Sequence, residues 1–290
     1  MALDVIKLCK ILCVSPANLD LVLKEIDKYY YLISNPKINK KTGLQFIDKL
    51  GKPRTRDLYP SKGILKDIQV KLYHRILKPI KLPSYAFGGI EKRDNILNAK
   101  THQGNKFFFN TDLRNYYPSI DHKQVFSMLV SRGFTTSIAS TITKLTTFKG
   151  QLPQGTSTSP YIANLVFVNT GNQLKKLADK YNLTFTTFVD DITLSSKTDF
   201  QEIVPEIIEI ITSNGFLISH DKTFYQTSMP KVTNVIVMNN GIYLSKTYKE
   251  KIDGFEDKTI PTAKGTINYY KRVQKISNTK SSQIKKKLLG

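Results

Sequence analysis

Cysteine is nearly absent from this sequence. Cys9 and Cys13 stand alone among 290 residues, four apart in a stretch with helical spacing, and no His/Cys cluster accompanies them. That argues against a disulfide framework or a structural zinc site and reads as two free thiols in a reducing compartment. Long apolar runs are also missing. The N-terminal "MALDVIKLCKILCV" is interrupted by Asp4, Lys7 and Lys10 and lacks a small-residue cleavage site. No run approaches the ~18 apolar residues that a membrane-spanning helix requires, so the cytoplasm is the expected location. No internal repeat or low-complexity linker is visible. Acidic residues are few: 23 Asp and Glu stand against 44 Lys and Arg, a net charge of +21. An excess of that size suits a polyanionic partner, and nucleic acid is the commonest.

What is present is an ordinary globular content of apolar residues, 40% of the chain, enough for a real core. The first 80 residues read as helical. Ser15 is placed to cap a helix that begins at Pro16, with Leu19, Val22, Leu23 and Ile26 on its apolar face. A second amphipathic run carries Ile64, Leu65, Ile68, Leu72, Ile76 and Leu77 before Pro79 ends it. The basic segment between them, which contains Arg54 and Arg56, reads as a loop or ribbon. From Lys106 the chemistry is that of strands. "KFFFNTD" predicts a buried strand, followed by a turn at Tyr117-Pro118 and a helix from about Asp121. A further helix carries Ile162, Leu165, Val166, Leu174 and Leu177 on one face. Then come a hairpin around Asp190, a helix over 202–214, a turn at Gly215, a pair of strands around "KVTNVIVMNNGIYLS" and a basic helical tail. The order predicts an α+β fold with a central antiparallel sheet.

The hairpin "TFTTFVDDITLSS" sets two carboxylates, Asp190 and Asp191, side by side among apolar residues. Adjacent acids repel, so a positive group has to offset them. If the strand ending at Asp112 pairs beside this hairpin, three carboxylates meet at one sheet edge. Such an open oxygen site suits two Mg²⁺ ions, with Mn²⁺ as an alternative, shared with substrate phosphates. Taken alone, the Asp pair is equally a hairpin turn, where Asp is common.

Three motifs together settle the reading by resemblance. "FVDD" (188–191) resembles the reverse-transcriptase hairpin signature Tyr-x-Asp-Asp with Phe in place of Tyr. "NTDLRNYYPSI" (110–120) resembles the motif that supplies the other metal-binding Asp, and "LPQGTSTSPYIAN" (152–164) the Leu-Pro-Gln-Gly motif between them. The similarity runs from about Arg54 to Ser245. Within that family, "NAKTH" (98–102) and "VTN" (232–234) are similar to elements that mark bacterial retron enzymes, with Asn234 where Gly is usual.

The resemblance implies a right-hand polymerase: a helical N-terminal region over 1–50, fingers over 51–110, an antiparallel-sheet palm over 111–235 with a fingers segment at about 130–160, and a short basic thumb and RNA-binding tail over 236–290. It implies catalytic Asp112, Asp190 and Asp191, with Leu113 beside them at the metal site. Nucleotide contacts fall on Arg54, Arg56, Arg114, Asn115, Tyr116, Tyr117, Gln154, Gly155 and Lys222. Tyr117 would exclude a 2′-hydroxyl unless it is a core tyrosine; Lys222 would protonate pyrophosphate unless it is a solvated surface lysine; Arg54 and Arg56 compete for the triphosphate. Asn98 and His102 would brace the fold or touch RNA. Val232, Thr233, Asn234, Lys271, Arg272, Lys285, Lys286 and Lys287 would bind it. The implied activity is RNA-directed DNA synthesis from dNTPs on a structured noncoding RNA, primed from a 2′-hydroxyl, with an effector protein in phage defence. Another prokaryotic reverse transcriptase, of the abortive-infection or group II intron kind, and a catalytically silent RNA-binding scaffold are the rivals. The scaffold predicts a lost Asp, and all three are present.

Overall fold

A computed structural model describes residues 4–39, 42–48 and 50–279. In chain order its elements are α1 (Val5–Leu12), α2 (Pro16–Lys24), β1 (Ile33–Pro36), β2 (Thr55–Leu58), α3 (Gly63–Leu72), α4 (Asn95–Thr101), β3 (Phe107–Asp112), α5 (Tyr116–Ser119), α6 (His122–Ser131), α7 (Thr136–Thr146) and α8 (Ser159–Lys180). They continue with β4 (Thr184–Phe188), β5 (Asp191–Ser196), α9 (Val204–Ser213), β6 (Phe224–Gln226), β7 (Lys231–Val232), β8 (Val235–Val237), β9 (Ile242–Tyr243), α10 (Lys246–Asp253) and α11 (Pro261–Ser277). The fold class is the α+β arrangement expected. Contacts divide the chain into two units, residues 1–81 with 115–166 and residues 82–114 with 167–290. The units are set by contact; the fingers, palm and thumb limits are a proposal.

In the first unit the local signals act as read. Ser15 Oγ accepts from Asn18 N at 3.2 Å with Pro16 in the first turn, and α2 buries Leu19 and Val22. Asp121 and Gln124 cap α6 reciprocally, each side chain bonding the other's backbone N–H at 2.8 and 2.9 Å. The basic segment is a ribbon: β1 and β2 pair antiparallel, with Asn35 opposite Arg56. α3 buries Leu65, Ile68 and Leu72, and one wider turn over Tyr73–Leu77 continues it before Pro79. Its fully buried Gln69 accepts from Ser61 Oγ at 2.7 Å and donates to Tyr30 Oη at 3.1 Å and to the Leu145 carbonyl at 2.8 Å. A buried amide left unpaired would cost about 1–3 kcal/mol; here it fastens α3 to α7.

In the second unit a four-stranded antiparallel sheet has the order β4-β5-β3-β6. Phe108 and Phe109 of β3 are buried, as the aromatic run requires. Beyond it lies a second sheet, β7-β8-β9, three short strands where a pair was expected. Two-residue strands such as β7 and β9 are too brief for alternation to reveal. Ile96 and Ala99 of α4, Phe108, Val232, Val235, Val237, Ile242 and Val273 of α11 share one core, so the C-terminal helix packs as part of this unit.

Candidate active site

The strand register answers why two acids sit side by side. β3 and β5 pair so that Asp112 lies opposite Asp191, and Phe188 pairs with Asp191 across the hairpin, which leaves Val189 and Asp190 as its two-residue turn. The Leu113 amide donates to the Asp190 carbonyl at 2.9 Å, tying the end of β3 to the turn. Val189 has φ +58°. Tight hairpin turns require a positive φ at their first central residue, but a β-branched side chain resists it, so the turn stores strain of about 1–3 kcal/mol.

The carboxylates are held unequally. Asp112 Oδ1 accepts from Ser219 Oγ and Oδ2 from Lys222 Nζ, both at 2.9 Å, and the Asp112 carbonyl accepts from Ser219 N at 2.8 Å. Both oxygens are thereby oriented. Burial pushes the Asp191 carboxyl up to about 7, reinforced by the charges of Asp190 and Asp112, while Lys222 pulls the other way. Burial works against the Lys222 ammonium, but its bond to Asp112 and the field of all three acids hold it above the ordinary lysine value. One lysine therefore does not satisfy the group, and a hard divalent cation suits the remaining negative charge and all-oxygen donors. Among the described residues no three His, Cys, Asp or Glu side chains already close on a common metal position. Leu113 is buried, so only its backbone is available to such an ion.

The nucleotide-binding candidates separate by unit. Arg114 and Lys222 belong to the second; Arg54, Arg56, Asn115, Tyr116, Tyr117, Gln154 and Gly155 belong to the first. Arg54 and Arg56 are exposed and two apart on an extended segment, hence on one face. The Tyr116 side chain is a core one, buried with its hydroxyl donating to the Ala163 carbonyl at 2.9 Å, so only its backbone is available to a nucleotide. Tyr117 beside it is half-buried and keeps accessible surface. Gln154 accepts from the Tyr59 amide at 2.7 Å through its carbonyl. Gly155 has φ +101°, a conformation that favours glycine, and a Cβ there would meet Pro60 at a tight 3.3 Å. Arg114 and Asn115 are exposed, Asn115 with φ +50°.

The elements around Asn98–His102 and Val232–Asn234 grip each other, the brace that was one of the two roles open to Asn98 and His102. His102 is fully buried, with Nδ1 at 2.6 Å from Ser195 Oγ and Nε2 at 2.7 Å from Thr186 Oγ1, and burial pushes its pKa down to about 3. It braces β4 against β5 as a neutral ring. Asn98 and Val232 are buried too, so RNA contact by these three side chains is replaced by packing. Thr233 and Asn234 form the turn between β7 and β8, with φ +46° and +68°. A two-residue turn left-handed at both positions favours Gly or Asn at the second, so Asn234 meets the same backbone demand as the usual Gly. Thr233 is held through Asn95: Asn95 Nδ2 donates to the Thr233 carbonyl at 3.1 Å, and Thr233 Oγ1 to the Asn95 carbonyl at 3.3 Å. The same α4 anchors α11. Asn95 Nδ2 donates to Tyr269 Oη at 2.7 Å, Asp94 pairs with Arg272, and the buried Lys100 Nζ donates to the Ser277 carbonyl at 2.6 Å. Lys271 is exposed; Lys285, Lys286 and Lys287 lie outside the described residues. Sequence reasoning missed Ser219, whose part depends on a distant segment meeting Asp112.

An antiparallel sheet that gathers three carboxylates and a lysine at the end of paired strands is suited to nucleotidyl transfer. The family model for reverse transcriptase (RNA-dependent DNA polymerase) matches residues 38–259, and the chain belongs to that family. It is 33% identical over 213 residues to the retron Ec86 reverse transcriptase of Escherichia coli, covering 70% of this chain and 66% of that protein. It is 34% identical over 170 residues to the retron Se72 reverse transcriptase of Salmonella heidelberg, covering 58% and 45%. The chain thus spans from under half to just under two-thirds of the length of these relatives. A solved telomerase from Candida albicans, determined with a fragment of telomeric RNA, aligns over 81% of this chain and 54% of its own with a TM-score of 0.49 and 11% identity.

Proposed function

We propose that the chain is a retron-type RNA-directed DNA polymerase that copies a structured noncoding RNA into cDNA. The observation that carries this reading is the β3–β5 register, which sets Asp112 against Asp191 at the turn bearing Asp190. Family membership and the similarity to retron enzymes support it. In this reading a 3′-hydroxyl, or a 2′-hydroxyl at initiation, attacks the α-phosphorus of a dNTP; the new P–O bond forms as pyrophosphate leaves, and Lys222 supplies it a proton. Mg²⁺, held by Asp112, Asp190 and Asp191 with the Leu113 backbone, would activate the hydroxyl and neutralise the phosphates. Ser219 keeps Asp112 oriented. Tyr117 excludes the 2′-hydroxyl of the incoming nucleotide, Gln154 and Gly155 line its path, and Arg54 or Arg56 grips its triphosphate with a guanidinium fork. Exposed Lys271 and the basic C-terminal residues contact the RNA, by phosphate and shape. An effector protein and a part in phage defence complete the proposal.

The test is extension of a DNA primer annealed to an RNA template with dNTPs and Mg²⁺. Template-directed product that requires the divalent ion is expected. No product on RNA or DNA templates with either Mg²⁺ or Mn²⁺ would refute the activity.

A further inference from the structure

The segment before α4 has no part in the reaction as described, yet it runs directly against the turn that carries Asp190. The Thr187 amide donates to the Tyr85 carbonyl and the Phe87 amide to the Thr187 carbonyl, both at 2.8 Å, so residues 85–87 bond alongside β4 in parallel. The next residue, Gly88, is buried. A Cβ built there would lie 2.5 Å from Val189 Cγ2, 2.6 Å from Val189 N and 2.9 Å from the Phe188 carbonyl carbon. Real Cβ atoms do not approach so closely. Gly89 has φ +73°, a conformation that favours glycine, whereas Gly88 does not share it. Glycine at 88 is therefore required for space, because its backbone abuts the turn.

The segment is itself fixed at both ends. Tyr85 Oη donates to Asn172 Oδ1 at 3.0 Å, its ring lies 4.9 Å from that of Phe185, and the hydroxyl sits where a side chain on Gly171 of α8 would be. Arg93 Nη1 donates to the carbonyls of Pro83 and Ala86, and its guanidinium lies 5.9 Å from the Phe87 ring centroid. Val189 needs such support. A β-branched residue persists in a left-handed conformation only where its surroundings over-determine it.

We propose that residues 85–93 are a brace that positions the Val189–Asp190 turn, with Gly88 as its contact point and Arg93 as the group that keeps it rigid. The catalytic consequence rests on the proposed role of Asp190 and Asp191; the geometric consequence does not. Gly88 and Arg93 are positioning residues, touching neither substrate nor metal. Moving a reacting group by about 1 Å can cost about a hundredfold in rate.

The experiment measures Gly88→Ala, Arg93→Lys and the double variant Gly88→Ala/Val189→Gly by two readouts. Hydrogen exchange should accelerate at the Asp190, Asp191 and Leu113 amides in both single variants, while amides of β7 and β8 keep the parent rate. On a primed RNA template, kcat per folded molecule should fall about tenfold or more in Gly88→Ala and less in Arg93→Lys, with KM for dNTP within about twofold of the parent. Removing the Val189 side chain should return part of the lost kcat, since glycine relieves the Cγ2 contact and accepts the positive φ. Parent exchange rates at the turn in both single variants would overturn the brace, as would a parent kcat in both. If the parent makes no DNA, the functional reading fails and the exchange arm still decides the brace. If Gly88→Ala does not fold, Arg93→Lys carries both readouts.

Discussion

His102 makes the stability of this protein depend on pH in a direction opposite to that of its acidic site. Its ring is fully buried between Thr186 and Ser195, with a pKa pushed down to about 3. In the unfolded chain it titrates near ~6.5. Above that value both states are neutral and His102 has no pH-dependent effect. Below it the unfolded chain takes up a proton that the folded chain refuses, so stability falls by about 1.4 kcal/mol per pH unit, or about 2 kcal/mol by pH 5. Asp191 acts in the other sense. Its folded value, about 7, lies above the ordinary carboxylate value, so stability is gained as pH falls from there towards 3.8 and is lost as pH rises. The parent curve therefore mixes two opposed slopes, and a comparison is needed to separate them. His102→Gln keeps a polar side chain but cannot titrate. Urea unfolding of parent and variant, with chelator present, should give a stability difference that is constant at and above about pH 7 and shrinks by about 2 kcal/mol by about pH 5. A difference that stays flat, or widens on acidification, would mean that His102 is not held neutral between the strands.

Three further outcomes are expected. Ser219→Ala removes one of the two bonds that orient Asp112 and should lower kcat by about three- to tenfold, from a loss of about 1 kcal/mol; steady-state extension assays would show an unchanged kcat if that bond is idle. Tyr117→Ala should raise ribonucleotide incorporation relative to deoxyribonucleotide, and an unchanged ratio with activity retained returns Tyr117 to the core. Asn234→Gly should leave urea stability within about 0.5 kcal/mol, whereas Asn234→Val should cost at least about 1 kcal/mol because φ is +68° there; equal stability of the two would refute the turn assignment.

Much of the site was legible because its parts are local. A strand that ends at an acid, a two-residue hairpin bearing two acids and a Ser-Pro helix start each announce themselves within a few residues. The parts that were not legible are long-range. Ser219 meets Asp112 only because β3 runs beside the segment after α9. Nothing in "AFGGIEKR" reveals which of two glycines faces another backbone. For Asn98 and His102 the sequence leaves a brace and an RNA contact both open, because a short polar motif does not show what it packs against. Their partners, Thr233, Thr186 and Ser195, lie far along the chain and bury them. Asn234 looked like a departure in letters, yet the backbone asks only for a residue that accepts a positive φ.

We propose that Asp112, Asp190 and Asp191 act as one catalytic group in an enzyme whose nucleic-acid affinity rests elsewhere. Single-turnover extension of a primed RNA template with Mg²⁺ by Asp112→Asn, Asp190→Asn and Asp191→Asn, measured beside the affinity of each variant for the same RNA, tests it directly. Extension should fall by at least about a hundredfold in all three, since each removes a carboxylate that would hold the proposed metal, with affinity near the parent value because dispersed Lys and Arg would supply it. Parent-like extension in any one of them, or affinity lost in step with extension, would contradict it.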